Sequence, residues 1–107
     1  HYFREDERVK ATQNVYRALK EGGMYVFFEN TAPLTDEGKK IVMNRWARYQ
    51  REHGKSENEI ETYLSRYGKN YFPITSIAHL ENLKQCGFKT AEPFWLSVMQ
   101  AGFYAIK

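Results

Sequence analysis

The sequence predicts an α/β domain whose sheet ends antiparallel. Three observations carry that expectation. An amphipathic stretch runs into Gly22-Gly23 and then into the unbroken apolar run Met24–Phe28. Three further helical patterns follow, over about 35–52, 57–67 and 75–87. Two apolar runs, 91–99 and 103–107, close the chain around a glycine-containing joint, Gln100-Ala101-Gly102, which reads as a hairpin.

The first helix is expected over Glu5 to Lys20. Val9, Thr12, Val15, Tyr16 and Leu19 recur at spacings of three and four. Glu5, Asp6 and Glu7 sit in the first turn, where the helix dipole favours acids. Gly22-Gly23 supplies the positive φ of a helix terminus. Met24–Phe28 does not alternate, so it reads as a strand covered on both faces, with Glu29 and Asn30 at its carboxyl end. Thr35 or Asp36 caps the second helix, and Ser56 with Glu59 forms a capping box for the third. Gly68 closes the third helix. Thr75 or Ser76 opens the fourth, with Ile77, Leu80 and Leu83 on one face and Gly87 at its end.

A chain of 107 residues is one domain. Apolar residues make up 42% and charged residues 27%, as in ordinary globular chains. The aromatic share of 16% is high and suggests a thick core or a ring-lined pocket, with core the plainer reading. A formal charge of +3 is too mild to mark a nucleic-acid binder by itself. The single cysteine, Cys86, cannot form an internal disulfide and fits a reducing compartment. No run reaches the ~18 apolar residues of a membrane span. The opening HYFREDER lacks the basic start and apolar run of a signal peptide, so the expected location is cytoplasmic.

Three segments in order resemble the C-terminal half of a class I S-adenosylmethionine-dependent methyltransferase. They are LKEGGMYVFFEN at 19–30, HLENLKQCGFKTAEPFW at 79–95 and QAGFYAIK at 100–107. In that family they correspond to the junction into strand five, the last helix with strand six, and the final strand. The resemblance implies a partial Rossmann-like sheet of strands five, six and antiparallel seven, with seven inserted between five and six. The insertion at about 35–73 resembles the helical cap of methyltransferases related to the tRNA wobble-uridine carboxymethyl-transferring enzymes, where it lies over cofactor and substrate. The chain departs from the family in one respect. It has neither a G-x-G-x-x-G loop nor the strand-two acid that hold the cofactor. The resemblance therefore implies S-adenosylmethionine as the cofactor of a full-length parent. It also implies that this chain alone binds none and does not turn over.

Candidate site residues follow from both readings. The resemblance puts His1 and Tyr2 at the end of the family's strand four, facing the transferred methyl; a catalytic His1 would orient or deprotonate a nucleophile. The plainer alternative is a solvent-exposed chain end. Glu29 and Asn30 lie at a carboxyl strand end, where open α/β sheets place ligands, unless they only cap the next turn. Tyr63 and Tyr67 are expected one turn apart on a single helix face, with Arg66 beside them and Tyr71 nearby. Those rings could box a cation or stack on a base, and Arg66 could grip a carboxylate. The resemblance gives Arg66 the cofactor's carboxyl extension; the alternative is core packing with Arg66 solvated. Trp46 and Tyr49 read as core. His53 and His79 have no metal-ligand spacing, and Cys86 has no nearby base.

Two other classes compete. A self-standing module would bury its apolar strand by homodimerisation through the sheet edge or face, since proteins avoid exposed apolar edges. A small RNA-binding domain would use Lys39, Lys40, Arg45, Arg48 and Arg51 on the second helix. The methyl acceptor is open to a nucleobase, amine, thiol or carboxylate.

Overall fold

A computed structural model describes all 107 residues. The elements run α1 (Glu5–Ala18), β1 (Met24–Asn30), α2 (Asp36–Glu52), α3 (Glu57–Leu64), α4 (Ser76–Gln85), β2 (Thr90–Leu96) and β3 (Gln100–Ile106). The three strands lie in the order β1-β3-β2, and β3 is antiparallel to both neighbours. The last strand therefore inserts between the other two, as the family resemblance implied.

Local chemistry explains most boundaries. Thr35 and Thr75 accept from the backbone N–H of Gly38 and Ala78, and Ser56 exchanges bonds with Glu59. Gly22 takes φ +76°, and its N–H donates to the carbonyl of Lys107 at 2.9 Å. The Lys107 ammonium donates to the carbonyls of Tyr16 and Leu19, at 2.9 and 2.8 Å. The chain's last residue thus satisfies carbonyls that the end of α1 leaves free.

The core joins α1, α4 and one sheet face. Leu83, Phe88, Ala91 and Ala105 are buried there, with Val15, Tyr16, Leu19, Tyr25, Phe27 and Leu80 packed around them. Phe103 is fully buried. Helices α2 and α3 form a projecting pair, held by stacked Trp46 and Tyr63 rings 4.5 Å apart and by buried Ala47 and Ile60. The molecule is accordingly elongated, 49 × 24 × 24 Å. No helix is long and apolar enough to cross a membrane.

Four expectations need correction. β1 is covered on one face only: Tyr25 and Phe27 point into the core, while Met24, Val26 and Phe28 are exposed, Phe28 by 64%. No layer of this chain lies over that face, so an unbroken apolar run does not here mean two-sided burial. The third helix stops at Leu64, because Gly68 (φ +75°) turns the chain and donates to the Tyr71 carbonyl. The hairpin turn lies at 97–99, closed by the Ser97 N–H on the Gln100 carbonyl at 2.8 Å. Gln100-Ala101-Gly102 instead begins β3, where a Cβ on Gly102 would stand 2.8 Å from the Phe28 ring and 2.9 Å from Phe94. That glycine serves close ring approach over the strand rather than a turn. Ile77 is exposed, because α4 turns Leu80 and Leu83 to the sheet and Ile77 away from it.

Candidate functional site

The carboxyl end of β1 carries a chain of polar contacts. His1 Nδ1 lies 2.7 Å from Glu29 Oε1, which also accepts from the Asn30 backbone N–H at 3.0 Å. The Asn30 amide nitrogen is 3.2 Å from His1 Nε2, and its carbonyl oxygen accepts from Gln100 Nε2 at 3.0 Å. The same amide nitrogen is 3.3 Å from His1 Nδ1, so it lies almost equidistant from the two ring nitrogens. Tyr2, the other residue of the expected catalytic pair, is exposed, with its ring against that of His1.

Arg8, on α1, ties the first residues to the loop beyond α3. Its Nη2 donates to the carbonyls of Phe72 at 2.8 Å and Phe3 at 3.2 Å. The Phe72 N–H donates to the His1 carbonyl. Residues 1–3 and 71–73 are thereby held side by side, which sets the Tyr71 ring edge-on to His1 at 6.3 Å.

Beside this network lies a cavity of about 370 Å³. Trp46, Tyr63, Tyr67 and Tyr71 form its aromatic wall, Met43 and Met99 add flexible apolar surface, and Asn30 and Gln100 supply amide edges. Tyr71 meets Tyr63 at 5.7 Å and Tyr67 at 5.5 Å between ring centres. No carboxylate lines the cavity. Burial holds the Tyr67 and Tyr71 phenols above their ordinary pKa, so both are neutral donors at physiological pH. The Lys39 ammonium sits 3.9 Å from the centre of the Tyr67 ring. A smaller cleft, lined by His1, Phe28, Glu29 and Trp95, shares Asn30 and Gln100 with the cavity. The combination suits a planar or apolar group stacked on rings and read at its edge by amides.

The tyrosine cluster of the sequence is present, with altered geometry. Tyr63 is on α3, whereas Tyr67 lies past its end, and Tyr71 rather than a shared helix face joins them. Arg66 is exposed on the outer side, beside Asn58 and Thr62, and does not line the cavity. Trp46 belongs to the wall, while Tyr49, expected in the core, is exposed and stacks on His53 at 4.0 Å. The basic face is smaller than its sequence count: Lys39 turns to Tyr67 and Arg51 pairs with Glu57, leaving Lys40, Arg45 and Arg48 exposed. Met43, Met99 and Gln100 were not read as site residues. Cys86 is half-buried against Val9 and Asn82, and burial pushes its thiol pKa up, away from nucleophilic use.

No family model matches the chain. Curated relatives share the name carboxy-S-adenosyl-L-methionine synthase. The protein from a Nitratiruptor species is 26% identical over 106 residues, which span 99% of this chain and 44% of the relative. The one from Nautilia profundicola is 27% identical over 106 residues, 99% of this chain and 45% of the relative. That from Hydrogenovibrio crunogenus is 28% identical over 93 residues, 87% of this chain and 37% of the relative. The chain thus spans less than half the length of the curated relatives it matches. Their shared name supports the S-adenosylmethionine-related methyltransferase-like resemblance; it is not that of a wobble-uridine carboxymethyl-transferring enzyme.

Proposed function

We propose that this chain is the acceptor side of an S-adenosylmethionine-dependent, methyltransferase-like enzyme, supplying half of the sheet and the cap over the substrate. The observation that carries this reading is the ring-walled cavity between α2–α3 and the carboxyl end of β1, in a sheet whose last strand inserts antiparallel between the other two. The relatives' name adds support for the cofactor class. The narrower kinship with wobble-uridine carboxymethyl transfer rests on the cap alone.

In this reading Trp46, Tyr63, Tyr67 and Tyr71 hold the acceptor's flat or apolar part, and Asn30 and Gln100 orient its polar edge. His1 and Glu29 hold Asn30 in place. Alignment of reacting groups supplies most of the rate in such a transfer. A chain without the glycine-rich loop leaves the cofactor unplaced, so it is inactive alone. Assaying S-adenosylmethionine consumption by the full-length gene product, with nucleobase, amine, thiol and carboxylate acceptors, tests the proposal. Consumption that falls on Asn30→Ala and Trp46→Ala supports it; an intact product that consumes the cofactor with none of these acceptors refutes it.

A second reading has one observation in its favour. β1 is an edge strand with no proline or bulge, whereas the opposite edge, β2, carries Pro93 and a register shift beside it. A self-standing module would pair this unguarded edge, or its bare apolar face, in a homodimer. Light scattering that finds only monomer at high concentration counts against it.

A further inference from the structure

A second cavity, of about 620 Å³, lies between α1, α4 and the loop at 67–74, on the far side of Tyr67 and Pro73 from the aromatic site. Arg8 lines it and is only 8% exposed. Its charge has no ion-pair partner within 4 Å in the folded chain. The two main-chain carbonyls it meets, those of Phe3 and Phe72, both engage Nη2. Nε and Nη1, which complete the fork that matches an oxyanion, have no hydrogen-bond partner in the protein. Burial holds the Arg8 pKa below its ordinary value, although Glu29 and Glu5 favour its charged form, and the unbonded Nε and Nη1 are not sealed from solvent. Asn82, half-buried, adds an amide to the same wall.

We propose that this cavity is a binding site for a small oxyanion, a carboxylate or phosphate group seated on the free edge of the Arg8 guanidinium. The rim limits the class. Arg4 lies over the Phe72 ring at 5.3 Å, while Glu5 and Glu81 are exposed on the same lining. Two carboxylates at the mouth repel an extended polyanion such as nucleic acid, whereas one compact anion can pass them to the buried cation. The site needs no cofactor and is independent of the acceptor reading.

The test follows the arginine Nε–Hε signals of the 107-residue chain by NMR. Inorganic phosphate and sodium acetate are titrated separately against sodium chloride at matched ionic strength. The expected result is a saturable shift of the Arg8 signal with one or both oxyanions and none with chloride. Phosphate alone identifies a phosphate site, and acetate alone or both anions a carboxylate-tolerant one. Arg8→Lys, which keeps the charge but loses the fork, is expected to weaken binding by about tenfold or more. Because Arg8 also ties two segments together, the unsubstituted chain decides if that variant misfolds. An Arg8 signal unmoved by either anion, or one that moves equally with chloride, overturns the proposal. So does a response shared equally by exposed Arg45.

Discussion

Replacing His79 by leucine should remove much of the protein's sensitivity to mild acid. His79 is 4% exposed, with its ring centre 5.2 Å from that of Phe103 and 5.9 Å from that of Phe27. Its Nε2 has no hydrogen-bond partner. Burial first, and the Arg8 charge second, lower its pKa from 6.5 to about 4. Well above pH 6.5 the ring is neutral in both folded and unfolded chains, and it contributes no slope. Between 6.5 and about 4 the unfolded chain takes a proton that the folded one refuses, so stability falls as pH falls. The gap amounts to about 3 kcal/mol when complete, and about 2 kcal/mol is already lost at about pH 5. Urea unfolding of wild type and His79→Leu at about pH 7 and about pH 5 measures it. With a slope of about 2 kcal/mol per molar, the wild-type midpoint should drop by about 1 M more than the variant's. At neutral pH the variant should be at least as stable, since an unsatisfied buried polar atom costs about 1–3 kcal/mol. Parallel losses in the two proteins would refute the reasoning.

Three further predictions concern the frame and the site. Gly87→Ala forces a Cβ onto φ +111° and 2.9 Å from the Tyr16 ring, so thermal denaturation should report a loss of about 1–3 kcal/mol. Thr75→Ala removes the hydroxyl that accepts from the Ala78 N–H and should cost about 1 kcal/mol in the same assay, with Thr75→Ser largely restoring it. Trp46→Ala breaks the stack on Tyr63 and opens the cavity wall; it should lose at least about 1 kcal/mol and raise the acceptor KM of the full-length product more than it lowers kcat.

Helix starts were legible because a cap is local chemistry: Thr35, Ser56 with Glu59, and Thr75 each act on a backbone group three residues away. The covering of β1 was not legible, because a run such as Met24–Phe28 records how apolar a strand is and not what lies over it. Gly102 was misread for a related reason. A turn glycine and a glycine crossed by two rings look alike until Phe28 and Phe94 are placed. In the site, Tyr63, Tyr67 and Tyr71 stood close enough in sequence to suggest a cluster. Trp46 and Tyr49 share one helix and a helical spacing, yet one faces the cavity and the other solvent, a difference set by how α2 is rotated against α3. Asn30 and Gln100 meet only because β3 returns beside β1, and a pairing so distant in the chain leaves no local signal. His79 gave no sign of its strain, which comes from Arg8 on another helix and from rings on two strands.

The central claim is that this chain builds an acceptor site and leaves the cofactor unplaced. Calorimetric titration of S-adenosylmethionine into the 107-residue chain and into the full-length gene product tests it most directly. The account predicts saturable binding by the full-length product. For the isolated chain it predicts no saturable heat up to millimolar cofactor, a bound of about −4 kcal/mol. Tight binding by the isolated chain would contradict the account, and so would its absence from both.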